Sequence, residues 1–370
     1  MSALRLRARD FDGFFSVPFR QYPAACPTTS PLRSELRKML DGAANPVFTG
    51  PDDITYFTAL RGDEAVGRIT AHVHRAANER YGLRRGSFGF FDCTDEGEVA
   101  RILLDAASDW LRERGCDEIV GNFNLTAMQE MGVVIDGHEH APFLAQQHNP
   151  AWIPALLREN GFEGLFPMTS WHLDLRAVKP ADLLGPRQRA LLDDGHLRLS
   201  AVGRRRFRSS MEVTRALLNS SFAQNPLFVP LTEAEFRFQA EAMLSIYDPR
   251  ISFLAHLDDQ ACGVIVCLPD VYPLLRATRS RIGWTTPLHY LRYRARRTRA
   301  SLIFGGVVPE MQNRGLAGLL LYHALSAMQR AGYTDLGITW ISDTNPSSLR
   351  QMEKIGAEPL HRLALFRRSI

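Results

Sequence analysis

The sequence lacks the features of a membrane-spanning or metal-binding protein. No run of about 18 apolar residues occurs in its 370 residues, so no transmembrane helix is expected. The first 20 residues mix arginine and aspartate with apolar residues and have no continuous apolar stretch of the kind found in signal peptides. The five cysteines show no zinc-ligand spacing and stand at Cys26, Cys93, Cys116, Cys262 and Cys267. We therefore expect reduced thiols, no metal and a cytoplasmic location.

The composition is that of a soluble globular protein, but the basic charge is unevenly placed. Apolar residues make up 45% of the chain and charged residues 23%, and the length allows two domains with separate cores. The net charge is only +4, yet eight arginines and no acid lie between Arg276 and Arg299, so the rest of the chain is net acidic. This concentration of charge indicates a local interaction surface.

Two stretches of the chain show the same order of strands and helices. In the first half, the apolar patterns predict helices from Val99 to Trp110 and at 151–160, and strands at 54–60, 65–73, 86–93, 118–121 and 170–175. The second half repeats this order, with helices predicted at 209–219, 233–244, 316–332 and 347–355, and strands at 252–257, 261–268, 301–308, 335–340 and 363–367. We predict an α/β fold of two tandem domains, at 1–178 and 198–370, each with a mixed central sheet flanked by helices. Proline and glycine punctuation predicts a linker at 179–197.

The strongest local motif lies between the strand that ends near Val308 and the helix that begins at Leu316. The intervening loop contains Arg314 and Gly315 and can aim several backbone N–H groups at one point. The N-terminus of the helix adds partial positive charge. This arrangement predicts a binding site for an anion such as a pyrophosphate.

Residues 312–317, Gln-Asn-Arg-Gly-Leu-Ala, resemble the Gln/Arg-x-x-Gly-x-Gly/Ala pyrophosphate loop of GNAT acyltransferases. The later stretches Asn345-Pro346-Ser347-Ser348 and Ile355-Gly356-Ala357 are similar to that family as well. The resemblance implies two GNAT-like domains, of which the second binds acyl-CoA as a co-substrate. It assigns the pantetheine arm to a splayed strand, the thiol end to Asn345, and the cofactor contacts to Gly306, Val307, Val308, Gln312, Asn313, Arg314, Gly315, Leu316, Ala317, Gly318 and Asn345.

The catalytic groups are less defined than the cofactor loop. Many GNAT enzymes carry a tyrosine acid in the helix after the asparagine, whereas the matching position here is Met352, which has no proton to donate. Asp343 and Glu353 are candidate bases for deprotonating an amine, and they are also acceptable as solvated acids at the end of a helix. A backbone N–H near Val308 is the expected donor to the oxyanion.

The first half lacks the cofactor loop, because the matching residues 94–98, Thr-Asp-Glu-Gly-Glu, are acidic and would repel a pyrophosphate. We therefore expect domain 1–178 to have no CoA site. Its stretches 121–124 and 134–137 are similar to long tandem GNAT acyltransferases that include the bacterial ceramide synthases. His138 and His140 are either part of an acceptor pocket or ordinary loop residues.

An insertion at 269–300 separates two strands that form a tight hairpin in a minimal GNAT domain. It combines arginines with aromatic and aliphatic residues, a mixture typical of membrane interfaces. Three interpretations stay open: a lid that docks on an anionic membrane, a nucleic-acid patch, or a flap packed on the first domain. No nucleic-acid motif accompanies the arginines, so a nucleic-acid partner is not expected. Substrate or membrane contacts are assigned to Arg276, Trp284, Tyr290 and Arg292.

These observations predict an acyl-CoA-dependent N-acyltransferase. The preferred acceptor is a long-chain, sphingoid-type amine, as in bacterial ceramide synthesis, and the protein would associate peripherally with the inner face of the membrane. The alternatives are an acetyltransferase for a small soluble amine and a non-catalytic acyl-CoA sensor or membrane-binding protein.

Overall fold

A computed structural model describes residues 3–125, 130–202, 207–223, 225 and 227–370. Within these residues, thirteen strands form one mixed sheet, since each half of the chain contributes an antiparallel meander followed by parallel crossovers. The first half contributes β1 (Leu4–Ala8), β2 (Ile54–Arg61), β3 (Glu64–His72), β4 (Arg85–Cys93), β5 (Glu118–Gly121), β6 (Val133–Asp136) and β7 (Glu163–Asp174). The second half contributes β8 (Leu197–Ala201), β9 (Phe253–Leu257), β10 (Gln260–Pro269), β11 (Arg299–Val307), β12 (Asp335–Ser342) and β13 (Glu358–Ser369).

Helices cover both faces of the sheet. Those of the first half are α1 (Phe11–Gln21), α2 (Arg33–Met39), α3 (Arg75–Tyr81), α4 (Gly97–Arg112) and α5 (Ile153–Glu159). Those that follow are α6 (Pro186–Asp193), α7 (Phe207–Ser221), α8 (Glu233–Leu244), α9 (Tyr272–Thr278), α10 (Thr286–Ala295), α11 (Leu316–Arg330) and α12 (Pro346–Ile355). The prediction of an α/β fold with two tandem units is confirmed by this arrangement.

The apolar spacing of each helix explains which face of the sheet it covers. In α4, Leu103, Leu104 and Leu111 recur at helical intervals and are fully buried against β2 and β3. Burial of each such side chain stabilises the fold by about 1.5–3 kcal/mol. In the second half, α11 and α12 pack on one face of the sheet, while α7 and α8 pack on the other. The space on either side of β11 is therefore enclosed by different helices.

The closing strands of the two halves are interleaved. The order along the sheet is β5-β13-β7-β12, so β13 lies beside β5 of the first half and β7 lies beside β12 of the second half. β7 and β13 also pair with each other along most of their length. Neither half alone would carry its complete sheet. The division into 1–178 and 198–370 therefore stays a prediction.

The residues assigned to a linker, 179–197, are ordered. They contain a short 3-10 turn at Pro180–Leu183 and the helix α6, and they end where β8 begins. Leu183 is buried in the core beneath α11 and α12, and Lys354 of α12 donates a hydrogen bond to its carbonyl at 3.1 Å. This segment is thus part of the covering layer on the α11 side of the sheet.

Candidate functional site

Strands β11 and β12 diverge part-way along their length and form a fork. They pair in parallel only from Arg299 opposite Asp335 to Leu302 opposite Ile338. At the point of divergence, the hydroxyl of Thr339 donates a hydrogen bond to the carbonyl of Ile303 at 3.1 Å. Beyond it, no ladder pairing joins the two strands within the described residues. The fork thus offers backbone groups of β11 to a ligand that can pair as an added strand.

The backbone groups that face the fork belong to Gly305 and Val307. The N–H of Val308 donates to the carbonyl of Cys262 in β10 at 3.0 Å, and alternate residues of a strand aim their backbone groups to opposite sides. The N–H of Val308 itself is therefore already bonded to β10, and the expected oxyanion donor near Val308 stays a prediction. Gly305 is exposed, whereas Gly306 lies against Ser221 of α7, which leaves no room for a side chain at position 306.

The loop after β11 leads directly into the N-terminus of α11. Gln312, Asn313 and Arg314 are exposed, and the side-chain amide of Gln312 donates to the carbonyl of Val307 at 3.2 Å. Gly315 precedes the helix with a φ of 99°, and no side chain caps the helix within the described residues. The first N–H groups of α11 are therefore free to bind an acceptor. Leu316 itself is fully buried in the core, while Ala317 and Gly318 are partly exposed.

Helix α6 lies against this loop, which the sequence did not reveal. Arg187 donates a hydrogen bond to the carbonyl of Asn313 at 3.0 Å, and Gln188 donates to the carbonyl of Gly315 at 3.3 Å. A Cβ at Gly315 would lie 3.0 Å from the amide nitrogen of Gln188, and one at Gly318 would lie 3.1 Å from it. Both glycines therefore make room for α6 as well as for a ligand. Arg187 adds a second guanidinium beside Arg314, and only the basic character of 187–189 within the supposed linker hinted at it.

The predicted thiol-end residues occupy the start of α12. Asn345 caps this helix, since its side-chain oxygen accepts a hydrogen bond from the N–H of Ser348 at 3.1 Å. Its amide nitrogen remains available as a donor. Met352, the position of the family's tyrosine, is buried with Ile355 in the core beneath α11. The chain thus places a packing residue, and no proton donor, at this point.

The two candidate bases have different surroundings. Asp343 follows β12, accepts a hydrogen bond from Thr169 at 3.1 Å, and forms an ion pair with Arg362 at 3.4 Å. Through these contacts, Asp343 connects the end of β12 to β7 and β13. Glu353 is exposed on α12, and within the part of the chain that the structure describes its side chain makes no hydrogen bond or ion pair. A catalytic role for either residue stays a prediction.

The first half has an equivalent fork, but its own chain fills it. β4 and β5 pair only from Arg85 to Ser87. Beyond this point, the N–H of Phe90 donates to the side chain of Asn124 at 2.9 Å, and the N–H of Phe91 donates to that of Asn122 at 3.3 Å. A Cβ at Gly89 would lie 1.9 Å from the carbonyl oxygen of Phe123, so the filling segment is in direct backbone contact with β4.

The loop that follows β4 is also engaged by the protein itself. Glu96 forms a two-point ion pair with Arg61, at 2.9 and 2.6 Å. Among the described residues of this half, the N–H groups of Phe90 and Phe91 and the carboxylate of Glu96 are thus already bonded within the protein.

An apolar cleft lies behind β11, on the face covered by α7 and α8. The space between its walls, including the part that is open to solvent, is about 570 Å³. Phe304 of β11 and Val266 of β10 form its floor, and Met211, Ala240 and Met243 form its walls. The floor of the cleft is thus the strand whose backbone forms one arm of the fork.

The insertion divides into a packed part and an exposed part. Arg276 donates to the carbonyl of Ala24 at 2.8 Å, and Arg279 donates to that of Phe19 at 2.7 Å, so α9 is attached to the first half. Arg297 and Arg299 pair with Asp248 and Asp270, which removes them from the free basic surface.

The second part of the insertion is open to solvent. Trp284 is 94% exposed, and the neighbouring exposed apolar residues are Ile282, Leu288, Tyr290 and Leu291. No ion pair within the described residues involves Arg292 and Arg294 of α10 or Arg296, the residue that follows the helix; we refer to these three as the α10 arginines. Because the insertion joins β10 to the beginning of β11, it lies at the opposite end of β11 from the anion-binding loop.

The histidines proposed for an acceptor pocket belong to a hydrogen-bonded loop. A ring nitrogen of His138 lies 3.1 Å from the carbonyl oxygen of Asn149. His140 is exposed, and its Nε2 lies 3.3 Å from the carboxylate of Glu139. These contacts are sufficient to explain both residues as part of the loop structure.

Comparisons with known proteins place these features in context. No family model matches the sequence. Protein YghO of Escherichia coli (strain K12) is 30% identical over 376 residues, which cover 99% of this chain and 94% of that protein. The bacterial ceramide synthase of Caulobacter vibrioides (strain NA1000 / CB15N) is 26% identical over 351 residues, 93% of this chain and 90% of that protein. A tandem GNAT protein from the clavulanic acid biosynthesis pathway has a TM-score of 0.60 at 13% identity and covers 99% of this chain and 98% of its own. The fold is therefore the tandem GNAT fold. None of the described helices is both long and apolar enough to cross a bilayer.

Proposed function

We propose that this chain, which belongs to the same family as protein YghO and has the tandem GNAT fold, transfers an acyl group from acyl-CoA to the nitrogen of a lipid-like amine. The observation that carries the proposal is that the fork and the anion-binding loop lie on one strand, β11. The free N–H groups at the start of α11 suit the pyrophosphate, and Arg314 and Arg187 add positive charge beside them. The backbone of Gly305 and Val307 suits the amides of the pantetheine arm.

The same geometry supports attack by an amine on the thioester. A pantetheine arm paired along β11 would bring its sulfur toward the base of the fork, near Ile303 and Thr339. A base first takes a proton from the ammonium. The neutral amine nitrogen then attacks the thioester carbon and forms the C–N bond, the C–S bond breaks as the thiolate departs, and the nitrogen loses a second proton, which neutralises the thiolate. Met352 supplies no acid, and a thiolate is a good enough leaving group to depart without one. The N–H of Val307, on the fork side of β11, is our candidate donor to the oxyanion.

A lipid-like acceptor is supported by two features near β11. The cleft floored by Phe304 is mostly apolar and suits a hydrocarbon chain. The exposed α10 region combines Trp284 with unpaired arginines, which favours peripheral binding to an anionic membrane. The relative from Caulobacter vibrioides is named a ceramide synthase, and ceramide synthesis acylates a long-chain amine.

The purified full chain should be incubated with acyl-CoA esters of short, medium and long chain and with either a sphingoid-type amine or a small soluble amine. Release of free thiol and mass spectrometry of the N-acyl product measure the transfer. We expect product with the long-chain amine, and none with Arg314→Glu. Product with the small amine alone would replace the lipid acceptor by a soluble one. Absence of N-acyl product with every pair would contradict the proposed function.

A further inference from the structure

A second cavity lies in the first half beneath α9. The space between its lining residues, including the part that is open to solvent, is about 590 Å³. Unlike the apolar cleft, it is lined by charged and amide side chains, among them Arg68, Asp92, Asn124, Glu130, Gln147 and Tyr272. We call it the polar chamber. The residues predicted to contact CoA are not among its lining residues.

Two of its charges neutralise each other. Arg68 and Asp92 are both buried, and the guanidinium Nε lies 2.8 Å from the carboxylate. The phenol of Tyr22 donates to Asp92 at 2.7 Å, and Arg68 donates to the hydroxyl of Ser30 at 2.7 Å. This pair is internally satisfied, so it leaves no net charge for a ligand.

Glu130 is the carboxylate that remains. Its one hydrogen bond through the side chain comes from the amide of Asn124 at 3.1 Å, and no cation within the described residues forms an ion pair with it. Burial raises the pKa of Glu130 to about 6, against weaker opposing effects of the Asn124 hydrogen bond and the charge of Arg68. Without a counter-ion in the chamber, this carboxylate therefore holds a proton near neutral pH for part of the time.

The remaining polar groups of the chamber are neutral, and one of them has no partner. Burial lowers the pKa of His148 to about 4, and its ring contacts the hydroxyl of Thr28 and the carbonyl of His138. Tyr272 is more than nine-tenths buried, and its hydroxyl has no hydrogen-bond partner within the described residues. A buried hydroxyl without a partner costs about 1–3 kcal/mol, which a bound ligand would recover.

A short series of contacts joins the chamber to the fork. Asn124 donates to Gln147 at 3.1 Å, and the neighbouring Gln146 donates to the carbonyl of Ile338 at 2.9 Å. Ile338 is the last residue of β12 that pairs with β11 before the strands diverge. Leu144 and Ala145 of the same loop line the chamber and also pack on the core behind β11. The chamber therefore borders the place where the thioester is expected.

We infer that the polar chamber binds the ammonium head group of the amine acceptor, with the Glu130 carboxylate as its counter-ion and the Tyr272 hydroxyl bonded to a polar group next to the nitrogen. This inference rests on the proposed function, since it gives the amine acceptor of the same reaction a binding site in the first half. An ammonium supplies the positive charge that Glu130 lacks and replaces the proton that it otherwise takes up.

The test is calorimetry on the full chain at pH 7.5, with 2-amino-1-octanol as the probe and 1,2-octanediol as the neutral comparison. Glu130→Gln should weaken binding of the amine by about tenfold or more and leave diol binding unchanged, because a charged hydrogen bond is lost. Tyr272→Phe should weaken both probes a few-fold. The control Glu139→Gln removes an exposed carboxylate nearby and should change neither.

The pH dependence supplies a second readout. Below pH 6 the amine must displace a proton from Glu130, so its affinity should fall about tenfold per pH unit, whereas Glu130→Gln should bind equally over that range. The chamber is also lined by the Arg68–Asp92 pair, neutral His148 and Tyr272. These groups are the same in the wild type and in Glu130→Gln, so they do not cause a difference in pH dependence between the two. Retained acyl-CoA affinity and an unchanged melting temperature would show that the variant folds.

Amine affinity unchanged in Glu130→Gln would overturn the inference, as would an unchanged KM for the amine in the transfer assay. In those cases transfer by the wild type would leave the proposed function standing. Conversely, Glu130-dependent amine binding in a protein that transfers no acyl group would support the chamber and refute the proposed reaction.

Discussion

Reversing one charge at the start of α11 is the most direct way to test the cofactor site. Arg314 is exposed beside the uncapped N-terminus of α11, and it forms no ion pair within the described residues. Arg314→Glu therefore breaks no contact of the protein and puts a carboxylate where the pyrophosphate is expected. Arg330→Glu is the matched control, because it makes the same charge change at the other end of α11. The helix has 15 residues, and at 1.5 Å per residue its two ends lie about 22 Å apart.

The expected loss has two parts. A charge-assisted hydrogen bond from Arg314 contributes about 1.5–3 kcal/mol to binding. Repulsion between the new carboxylate and a phosphate at 4 Å costs about 1 kcal/mol in water and about 4 kcal/mol at an effective dielectric constant of 20. Since Arg314 is open to solvent, the lower part of this range applies, and the total is about 3–5 kcal/mol. At about 1.4 kcal/mol per decade, the affinity for acyl-CoA should fall roughly 100-fold to several thousand-fold.

Calorimetry with a non-hydrolysable CoA ester measures this loss directly. Arg314→Gln loses only the hydrogen bond and should therefore lie between the wild type and Arg314→Glu. The wild-type affinity should decrease as salt rises, and the decrease should be smaller for Arg314→Gln. Equal losses in Arg314→Glu and Arg330→Glu would show a nonspecific effect of charge, and unchanged affinity in Arg314→Glu would refute the loop as the pyrophosphate site.

Three further outcomes follow from the described contacts. Replacing the α10 arginines by glutamine should weaken binding to anionic liposomes, measured by co-sedimentation, by about 1 kcal/mol for each charge near the surface. Trp284→Ala should weaken the liposome binding that remains at high salt. Liposome binding that survives both changes would exclude α10 as the docking surface. Arg68→Met should lower the free energy of unfolding by about 3–5 kcal/mol in denaturant titrations, because Asp92 is left buried without its partner, and a loss below 1 kcal/mol would contradict this reading. Burial raises the pKa of Asp248, but hydrogen bonds from Arg250 and other neighbours outweigh it and lower the pKa to about 2, below the value in the unfolded chain. The ionised carboxylate therefore contributes about 2 kcal/mol of stability above pH 4, and this contribution is lost as the pH falls toward 2. Asp248→Asn should be less stable at pH 7 and should lack this acid-dependent step in thermal melts.

The parts of the fold that are local in sequence could be predicted from the residues. Strands flanking Gly62 and Asp259, the helix begun by Leu316, and the loop with Arg314 each depend on neighbours within about 15 residues, and the structure has these strands and helices close to the predicted positions. The same reasoning located the turn before α11, since a strand end, a glycine and a helix start follow one another in one stretch of chain, and the structure gives that glycine a left-handed conformation. Anion binding by this turn stays a prediction.

Features that depend on distant contacts could not be predicted in this way. β7 and β13 are interleaved because each fits the gap left by the other half, and no local pattern in 163–174 specifies a partner nearly 200 residues later. The contact of Gln188 with Gly315 likewise joins a supposed linker to the cofactor loop. The polar chamber likewise brings Glu130 together with Arg68, Asp92 and Tyr272, residues that lie far apart in the sequence and line one cavity only after folding.

The two halves show how one architecture can be directed to different uses. Each half opens a fork between its fourth and fifth strands, and an open fork leaves backbone groups that need a partner. In the first half, Asn122 and Asn124 supply that partner from within the chain, and Asn124 also positions the Glu130 carboxylate. In the second half the described residues leave the groups of Gly305 and Val307 facing the fork, beside a loop suited to an anion. Because β7 and β13 join both forks in one sheet, the filled half is held at a fixed position next to the open one. Under the two proposals made above, the filled half presents the amine acceptor and the open half binds the thioester.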